Sequence, residues 1–135
     1  MGKKLFIISL VAVVTLTCLS FQKPAFNLKS SVTRGKETYI AYCVSCHMDQ
    51  GEGIEGVYPP LAKADYMMAD KKRVIHQVLY GISGEMKVNG KIYNGEMTGF
   101  DLTDQEVSDV INYVQNSFGN KANAVTPEQV KAARK

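Results

Sequence analysis

The chain has 135 residues, of which 45% are hydrophobic and 21% charged, with 16 basic and 13 acidic side chains. This composition is that of one ordinary globular domain, and it excludes fibrous, collagen-like and disordered chains. Two lysines lie within the first four residues, so the formal net charge of +3 falls to +1 without them. A near-neutral domain lacks the basic surface that nucleic-acid binding requires.

The N-terminal segment has the pattern of an export signal. Two lysines precede an apolar run from Leu5 to Leu16, as in the basic and apolar regions of a secretory signal. We predict a signal peptide over residues 1–20 and an exported, periplasmic protein. Two alternatives stay open, an uncleaved membrane anchor and a lipoprotein signal cut before Cys18, which would then carry the lipid. The polar residues 21–32 predict a tether.

A first helix is predicted to start near Thr33 and to run to about Val44. Gly35 and Tyr39 lie on one face at helical spacing, which predicts a seam against another helix. The following residues 51–61 are rich in glycine and end in two prolines and a leucine. Such a segment forms neither a helix nor a central strand, so we expect a loop.

The end of the first helix carries the sequence Cys43-Val44-Ser45-Cys46-His47. The pattern C-x-x-C-H is typical of covalent haem attachment, in which two thiols bond the vinyl groups and the imidazole binds iron. A thioredoxin-like redox pair would instead lie at the start of a helix. A zinc site needs four ligands, but the chain has two histidines and no second cysteine pair. A plain disulfide is the third alternative. We interpret the motif as the attachment site of one haem c.

Two elements are predicted in the middle of the chain. A helix begins with Asp70 as its N-cap and ends at Gly81, with four aliphatic residues on one face. A small hairpin follows over Lys87–Tyr93, because the Asn89-Gly90 pair favours a type I′ turn. It is too short to be stable alone, so we expect it to pack against the domain.

The last long helix has the clearest start signal. Thr103 and Glu106 form a capping box, and Gly119 is suited to follow the final turn. A buried stripe is predicted at Val107, Val110, Ile111, Val114 and Phe118. Residues 121–135 predict a polar C-terminal tail, in which Thr126-Pro127 can open a short helix.

An ordered series of motifs resembles that of class I c-type cytochromes, in particular bacterial monohaem cytochrome c domains. The series is Gly35-x3-Tyr39-x3-Cys43-x2-Cys46-His47, then Pro59-Pro60-Leu61, then Met97 shortly before a capped helix that contains Tyr113. The resemblance implies a cytochrome c domain over residues 33–120 with an all-α fold. Three main helices would surround one covalently attached haem, with a small hairpin before the loop that carries the ligand methionine. The first and last helices would cross near Gly35, where the missing side chain permits close approach.

The resemblance also implies the groups around the iron. His47 and Met97 would be the axial ligands, and the carbonyl of Pro59 would hold the Nδ1–H of the histidine. Met86 is the alternative sixth ligand, and an iron without a protein ligand on that side is another. Related domains often carry proline after the ligand methionine, whereas this chain has Thr98-Gly99. We therefore expect a more mobile ligand loop.

These assignments predict one-electron transfer and not enzymatic catalysis. A thioether ligand raises the reduction potential of haem iron, and two filled axial positions leave no open site for a substrate. The resemblance implies redox partner proteins such as a respiratory oxidase, a copper nitrite reductase or a dehydrogenase. The protein would be attached to a membrane only through an uncleaved anchor or a lipid on Cys18. The alternative function is a haem-based sensor or a peroxidase-like enzyme with a labile sixth ligand.

Overall fold

The computed structural model describes residues 25–134, so the predicted signal peptide and Cys18 lie outside the described residues. The described part contains six helices and one hairpin: α1 Leu28–Tyr42, α2 Val44–His47, α3 Asp65–Ala69, α4 Lys71–Tyr80, β1 Gly81–Val88, β2 Lys91–Thr98, α5 Asp104–Gln115 and α6 Pro127–Ala133. Within residues 25–134, no helix combines the length and apolar character needed to cross a membrane.

Helix α1 begins earlier than the sequence predicts. Asn27 is its N-cap, and the Asn27 side chain accepts a hydrogen bond of 3.0 Å from the backbone N–H of Ser30. Thr33 lies inside the helix, where its hydroxyl donates to the carbonyl of Lys29 at 3.1 Å. The prediction of a helix start near Thr33 is therefore wrong, and residues 28–32 belong to the helix and not to a tether. Asn is at least as effective an N-cap as Thr or Ser, so the helix begins directly after the earlier capping residue, Asn27.

Helices α1 and α5 cross in direct backbone contact, as the resemblance implies. A Cβ on Gly35 would overlap the carbonyl oxygen of Asp109 and would lie 2.8 Å from Cβ of Tyr113. Three aromatic rings pack beside this point: Tyr39 lies 5.3 Å from Tyr113 and 5.4 Å from Phe118, measured between ring centroids. The predicted seam on α1 is confirmed, and only glycine permits it at position 35.

A buried polar cluster, unpredicted from the sequence, joins the same two helices. Asp109 is 2% exposed and accepts hydrogen bonds from the hydroxyl of Ser31 and from Nε of Arg34, the latter at 2.7 Å. Asn112 donates to Ser31 at 2.9 Å and to the carbonyl of Val125 at 2.8 Å. A buried carboxylate needs such partners, so the cluster fixes how α1, α5 and the C-terminal segment sit together.

Helix α4 and the hairpin follow one another without a loop. Asp70 caps α4 by accepting from two backbone N–H groups, and Gly81 ends it with a φ of 85°. The strands then pair from Gly81–Thr98 to Val88–Lys91, around a turn at Asn89-Gly90 where both residues have positive φ. The turn is confirmed, but the hairpin extends far beyond the predicted Lys87–Tyr93. The fold is therefore helical with a two-stranded hairpin and not all-α.

Helix α5 starts at the predicted capping box but ends at Gln115, before the predicted Gly119. Asn120 satisfies the end of the helix by donating to the carbonyl of Val114 at 2.8 Å. The chain then turns through left-handed conformations at Phe118 and Gly119, with φ of 56° and 80°. This turn brings the Phe118 ring back onto the aromatic cluster, which explains the early helix end.

The C-terminal segment contains the short helix that Thr126-Pro127 predicts, but the segment is docked on the core and is not a free polar tail. Thr126 and Gln129 form a capping box at the start of α6, with Pro127 in its first turn. Val125 and Val130 are both 0% exposed and belong to the main hydrophobic core. These two buried valines, with the hydrogen bonds of Asn112 to Val125 and the ion pair of Arg134 with Asp104, hold a seven-residue helix that would not be stable alone.

Candidate haem site

The two cysteines and the histidine of the motif lie where α1 ends and α2 begins. Cys43 is the residue between the two helices, and the N–H groups of Cys46 and His47 both donate to its carbonyl, at 3.2 and 2.9 Å. The two thiols are partly buried and are not joined in a disulfide. Burial raises the pKa of the Cys43 thiol to about 11, with a further contribution from Cys46. A redox-active pair needs the opposite shift, which argues against the thioredoxin-like alternative.

The histidine ring is held by the loop that follows it. Nδ1 of His47 lies 2.9 Å from the carbonyl oxygen of Pro59. A carbonyl accepts only, so Nδ1 carries the proton and Nε2 keeps a free lone pair. Burial lowers the pKa of His47 although the hydrogen bond to Pro59 acts in the other direction. Burial therefore favours the neutral form of the ring, and in that form Nε2 would be available to bind a metal.

The backbone around the histidine is fixed by contacts that sequence reasoning missed. The hydroxyl of Tyr39 donates to the carbonyl of Met48 at 2.7 Å, and Met48 has a φ of 64°. Gly53 donates to the carbonyl of His47 at 3.1 Å, and a Cβ on this glycine would lie 2.8 Å from the carbonyl carbon and oxygen of Pro59. Glycine at this position therefore lets the two segments that hold the imidazole pass close to each other.

The motif faces an apolar cavity of about 310 Å³. Every helix from α1 to α5 and both strands of the hairpin contribute to its wall. Cys43, Cys46 and His47 line it, and most of the remaining lining residues are apolar: Val57, Pro59, Pro60, Leu61, Ala64, Met67, Val74, Val78, Ile82, Met86, Val88, Met97, Phe100, Leu102, Val110, Ile111 and Val114. Two thiols, one imidazole and thioethers in an apolar wall suit a haem, which is a flat and largely apolar group. Across residues 25–134, no three His, Cys, Asp or Glu side chains gather as metal ligands, so nothing there supports a zinc site.

Met97 lines the cavity from a strand and not from a loop. It pairs with Ile82 across the hairpin, and Thr98 pairs with Gly81. The expectation of a loop around Met97 is therefore wrong, and the expected mobility of this segment stays a prediction. A Cβ on Gly99 would lie 2.5 Å from the carbonyl oxygen of Leu79, at the end of α4. This close approach leaves no room for a proline ring at position 99. The N–H of Phe100 donates to the carbonyl of Val78 at 3.0 Å, which ties the end of β2 to α4.

Met86 and Met97 project from the same face of the hairpin. Side chains alternate along a strand, and the register places positions 82, 84, 86 and 88 on one face with positions 91, 93, 95 and 97. Both methionines line the cavity, as does Met67 of α3. The geometry alone therefore keeps Met86 as an alternative to Met97.

Comparisons with known proteins identify the family of this chain. The family model for cytochrome c matches residues 32–118. Cytochrome c-552 of Thermus thermophilus is 34% identical over 118 residues, covering 70% of this chain and 90% of that protein. The cytochrome c subunit of alcohol dehydrogenase (quinone) from Gluconobacter oxydans is 32% identical over 90 residues, covering 65% of this chain and 19% of the subunit.

The cytochrome subunit of fructose dehydrogenase from Gluconobacter japonicus is 27% identical over 110 residues, covering 78% of this chain and 23% of the subunit. The chain thus matches small cytochromes over most of their length and larger dehydrogenase subunits over one part. With the C-x-x-C-H motif in the cavity wall, these matches show one covalently bound haem c per chain. The chain belongs to the cytochrome c family, whose members transfer electrons.

Proposed function

We propose that this protein carries single electrons between redox enzymes outside the cytoplasm. The haem would be bonded through Cys43 and Cys46, and its iron would be ligated by His47 and Met97. The observation that carries the proposal is that all four side chains line one apolar cavity. When bound, haem c supplies an iron centre that cycles between the ferrous and ferric states.

Helix α2 and the Pro59 loop support the role of His47. The Nδ1–H donates to the Pro59 carbonyl, which leaves Nε2 as the only nitrogen able to bind a metal. The same hydrogen bond makes the imidazole a stronger donor to iron and restricts rotation of the ring. A fixed ligand suits electron transfer because little has to move when the charge on iron changes.

The hairpin supports the role of Met97. Its backbone is held by pairing with β1, and the neighbouring Gly99 lies directly against α4. A thioether is a neutral, soft ligand that favours ferrous iron, so a His/Met pair raises the reduction potential. The sensor and peroxidase alternatives require a sixth position that opens readily, and a strand held from both sides opposes such opening.

The relatives suggest the class of partner. Three dehydrogenases have cytochrome subunits that match this chain in part: those for alcohol, fructose and gluconate. We propose a dehydrogenase as electron donor and a terminal reductase or oxidase, a copper nitrite reductase included, as acceptor. The predicted signal over residues 1–20 would export the protein to the periplasm. Cleavage before Cys18, with a lipid on that residue, would attach it to a membrane.

The ligand assignment is tested by replacing each candidate methionine in the holoprotein. Met97→Ala should abolish the far-red absorption band of Met-ligated ferric haem and should lower the reduction potential by tenths of a volt, since axial ligands set haem potentials over a span of about 0.8 V. Met86→Ala is the matched control and should leave the band in place. A pyridine haemochrome spectrum of each variant verifies that haem c is still attached. If Met86→Ala removes the band and Met97→Ala retains it, the assignment is wrong.

A further inference from the structure

One wall of the cavity carries a hydrogen-bonding group that neither the motif nor the axial ligands explain. Tyr66 of α3 and Gln77 of α4 both line the cavity. The amide of Gln77 donates to the hydroxyl oxygen of Tyr66 at 2.9 Å. Because the hydroxyl accepts this bond, its own proton remains available for a further acceptor. The pair therefore presents an oriented O–H donor in a largely apolar wall.

A cation lies directly over this tyrosine. The guanidinium carbon of Arg73 is 3.9 Å from the centroid of the Tyr66 ring, and Nη2 donates to the Tyr66 carbonyl at 2.5 Å. Within residues 25–134, Nε of Arg73 is buried without a hydrogen-bond partner, and no carboxylate forms an ion pair with this arginine. Nearby Asp65 and Asp70 accept from backbone N–H groups instead. Arg73 is thus a positive charge that lacks an anion.

The hairpin shows which end of the cavity holds Tyr66. Asp65 and Asn89 exchange two hydrogen bonds, of 3.0 and 2.8 Å, which join the start of α3 to the hairpin turn. The opposite end of the hairpin leads into Phe100, whose ring lies 5.7 Å from that of Tyr42. Tyr42 directly precedes Cys43, so this end of the cavity holds the cysteines that would form the thioethers. We call it the thioether end.

The two ends are well separated. Eight residues of β2 span roughly 27 Å at about 3.4 Å per residue. Tyr66 also packs in a second hydrophobic cluster with Val88 and Tyr93, apart from the main core that Cys43 contacts. The hydroxyl and the cation therefore lie at the cavity end remote from the cysteines.

In a haem, the two vinyl groups lie on one edge of the ring and the two propionates project from the opposite edge. Thioethers at Cys43 and Cys46 would therefore direct the propionate carboxylates toward the remote end. We propose that Tyr66, oriented by Gln77 and accompanied by the charge of Arg73, binds a haem propionate. This inference rests on the attachment sites of the proposed function. A bound propionate would pair with the guanidinium of Arg73 and would accept the hydrogen bond that the Tyr66 hydroxyl can donate.

The experiment compares two tyrosine variants of the holoprotein. Tyr66→Phe keeps the ring beneath Arg73 and removes only the hydroxyl, whereas Tyr42→Phe removes a hydroxyl at the thioether end of the same cavity. In resonance Raman spectra, Tyr66→Phe should move a propionate bending band to lower frequency, because this vibration stiffens when the carboxylate accepts a hydrogen bond. Tyr42→Phe should leave the propionate bands in place.

The reduction potential gives a second readout. A carboxylate whose charge is less neutralised favours ferric iron, so Tyr66→Phe and Arg73→Gln should both lower the potential. Gln77→Leu should shift the Raman band in the same direction, since it removes the group that orients the hydroxyl.

Unchanged propionate bands in Tyr66→Phe and in Gln77→Leu would overturn the inference, as would a shift in Tyr42→Phe alone. A pyridine haemochrome spectrum taken on the same samples separates this failure from a failure of the haem attachment itself.

Discussion

Replacing Gly99 with alanine tests whether the contact between β2 and α4 holds Met97 in place. The new methyl group would lie 2.5 Å from the carbonyl oxygen of Leu79 and 2.7 Å from backbone atoms of Tyr80. Both neighbours are main-chain atoms at the end of a helix, so neither can rotate away. The φ of Gly99 is not positive, so alanine introduces no backbone strain of its own. In the folded state the substitution therefore acts through this overlap alone.

The expected loss of stability is the difference between two opposing contributions to the free energy of unfolding. Overpacking costs about 1–3 kcal/mol, and reduced freedom of the unfolded chain returns about 0.4–1 kcal/mol. We expect Gly99→Ala to lower the free energy of unfolding by about 1–2 kcal/mol and to weaken the far-red band of Met-ligated ferric haem. Asn94→Ala, on the exposed outer face of β2, is the control and should stay within about 0.5 kcal/mol of the wild type.

The measurement is denaturant unfolding of the ferric holoprotein, followed by haem absorption and by circular dichroism. A Gly99→Ala protein with wild-type stability and an undiminished far-red band would refute the reasoning, since the strand end would then not depend on its contact with α4. A loss of stability with an intact band would separate the two effects. It would show that β2 shifts while Met97 stays in place.

Two further predictions concern the C-terminal half. Val130→Ala should destabilise the protein by about 2–3 kcal/mol in denaturant unfolding, because a fully buried side chain loses two methyl groups, whereas exposed Lys131→Ala should have little effect. Equal effects of the two substitutions would show that α6 is not docked. The hydrogen bonds from Thr103 lower the pKa of Glu106, so this pair should contribute stability above the ordinary carboxyl pKa and lose it as the pH falls through the lowered value. Thr103→Ala should flatten this part of the stability–pH curve; a curve of unchanged shape would contradict the capping role.

The sequence predicted the elements whose signals are local. The capping box at Thr103, the N-cap at Asp70 and the turn at Asn89-Gly90 all appear in the structure as expected. Each is decided by a few adjacent residues through hydrogen bonds that the backbone makes with its neighbours. The haem motif is a local signal too, because its chemistry needs only the five consecutive residues Cys43 to His47.

Features that depend on distant contacts were not predictable. The strands extend to Gly81 and Thr98 because Gly81 lets β1 lie close to the end of β2 and Gly99 lets the hairpin base lie against the end of α4. No local pattern encodes these contacts. The docked α6 depends on Val130 reaching a core built by other helices. The cluster around Asp109 draws on Ser31, which precedes it by 78 residues. In these cases tertiary contacts decide where an element begins or ends.

The two halves of the fold depend on the cofactor to different degrees. Helices α1 and α5 contact each other directly, through Gly35, the Tyr39 cluster and the buried bonds to Asp109. The hairpin instead turns one face toward the cavity, and a two-stranded hairpin is marginal without a surface to pack on. The hairpin already packs on Ala64 through Val88 and Tyr93, and a bound haem would extend this surface on the side of Met97. The crossing that presents the C-x-x-C-H motif rests on contacts between α1 and α5.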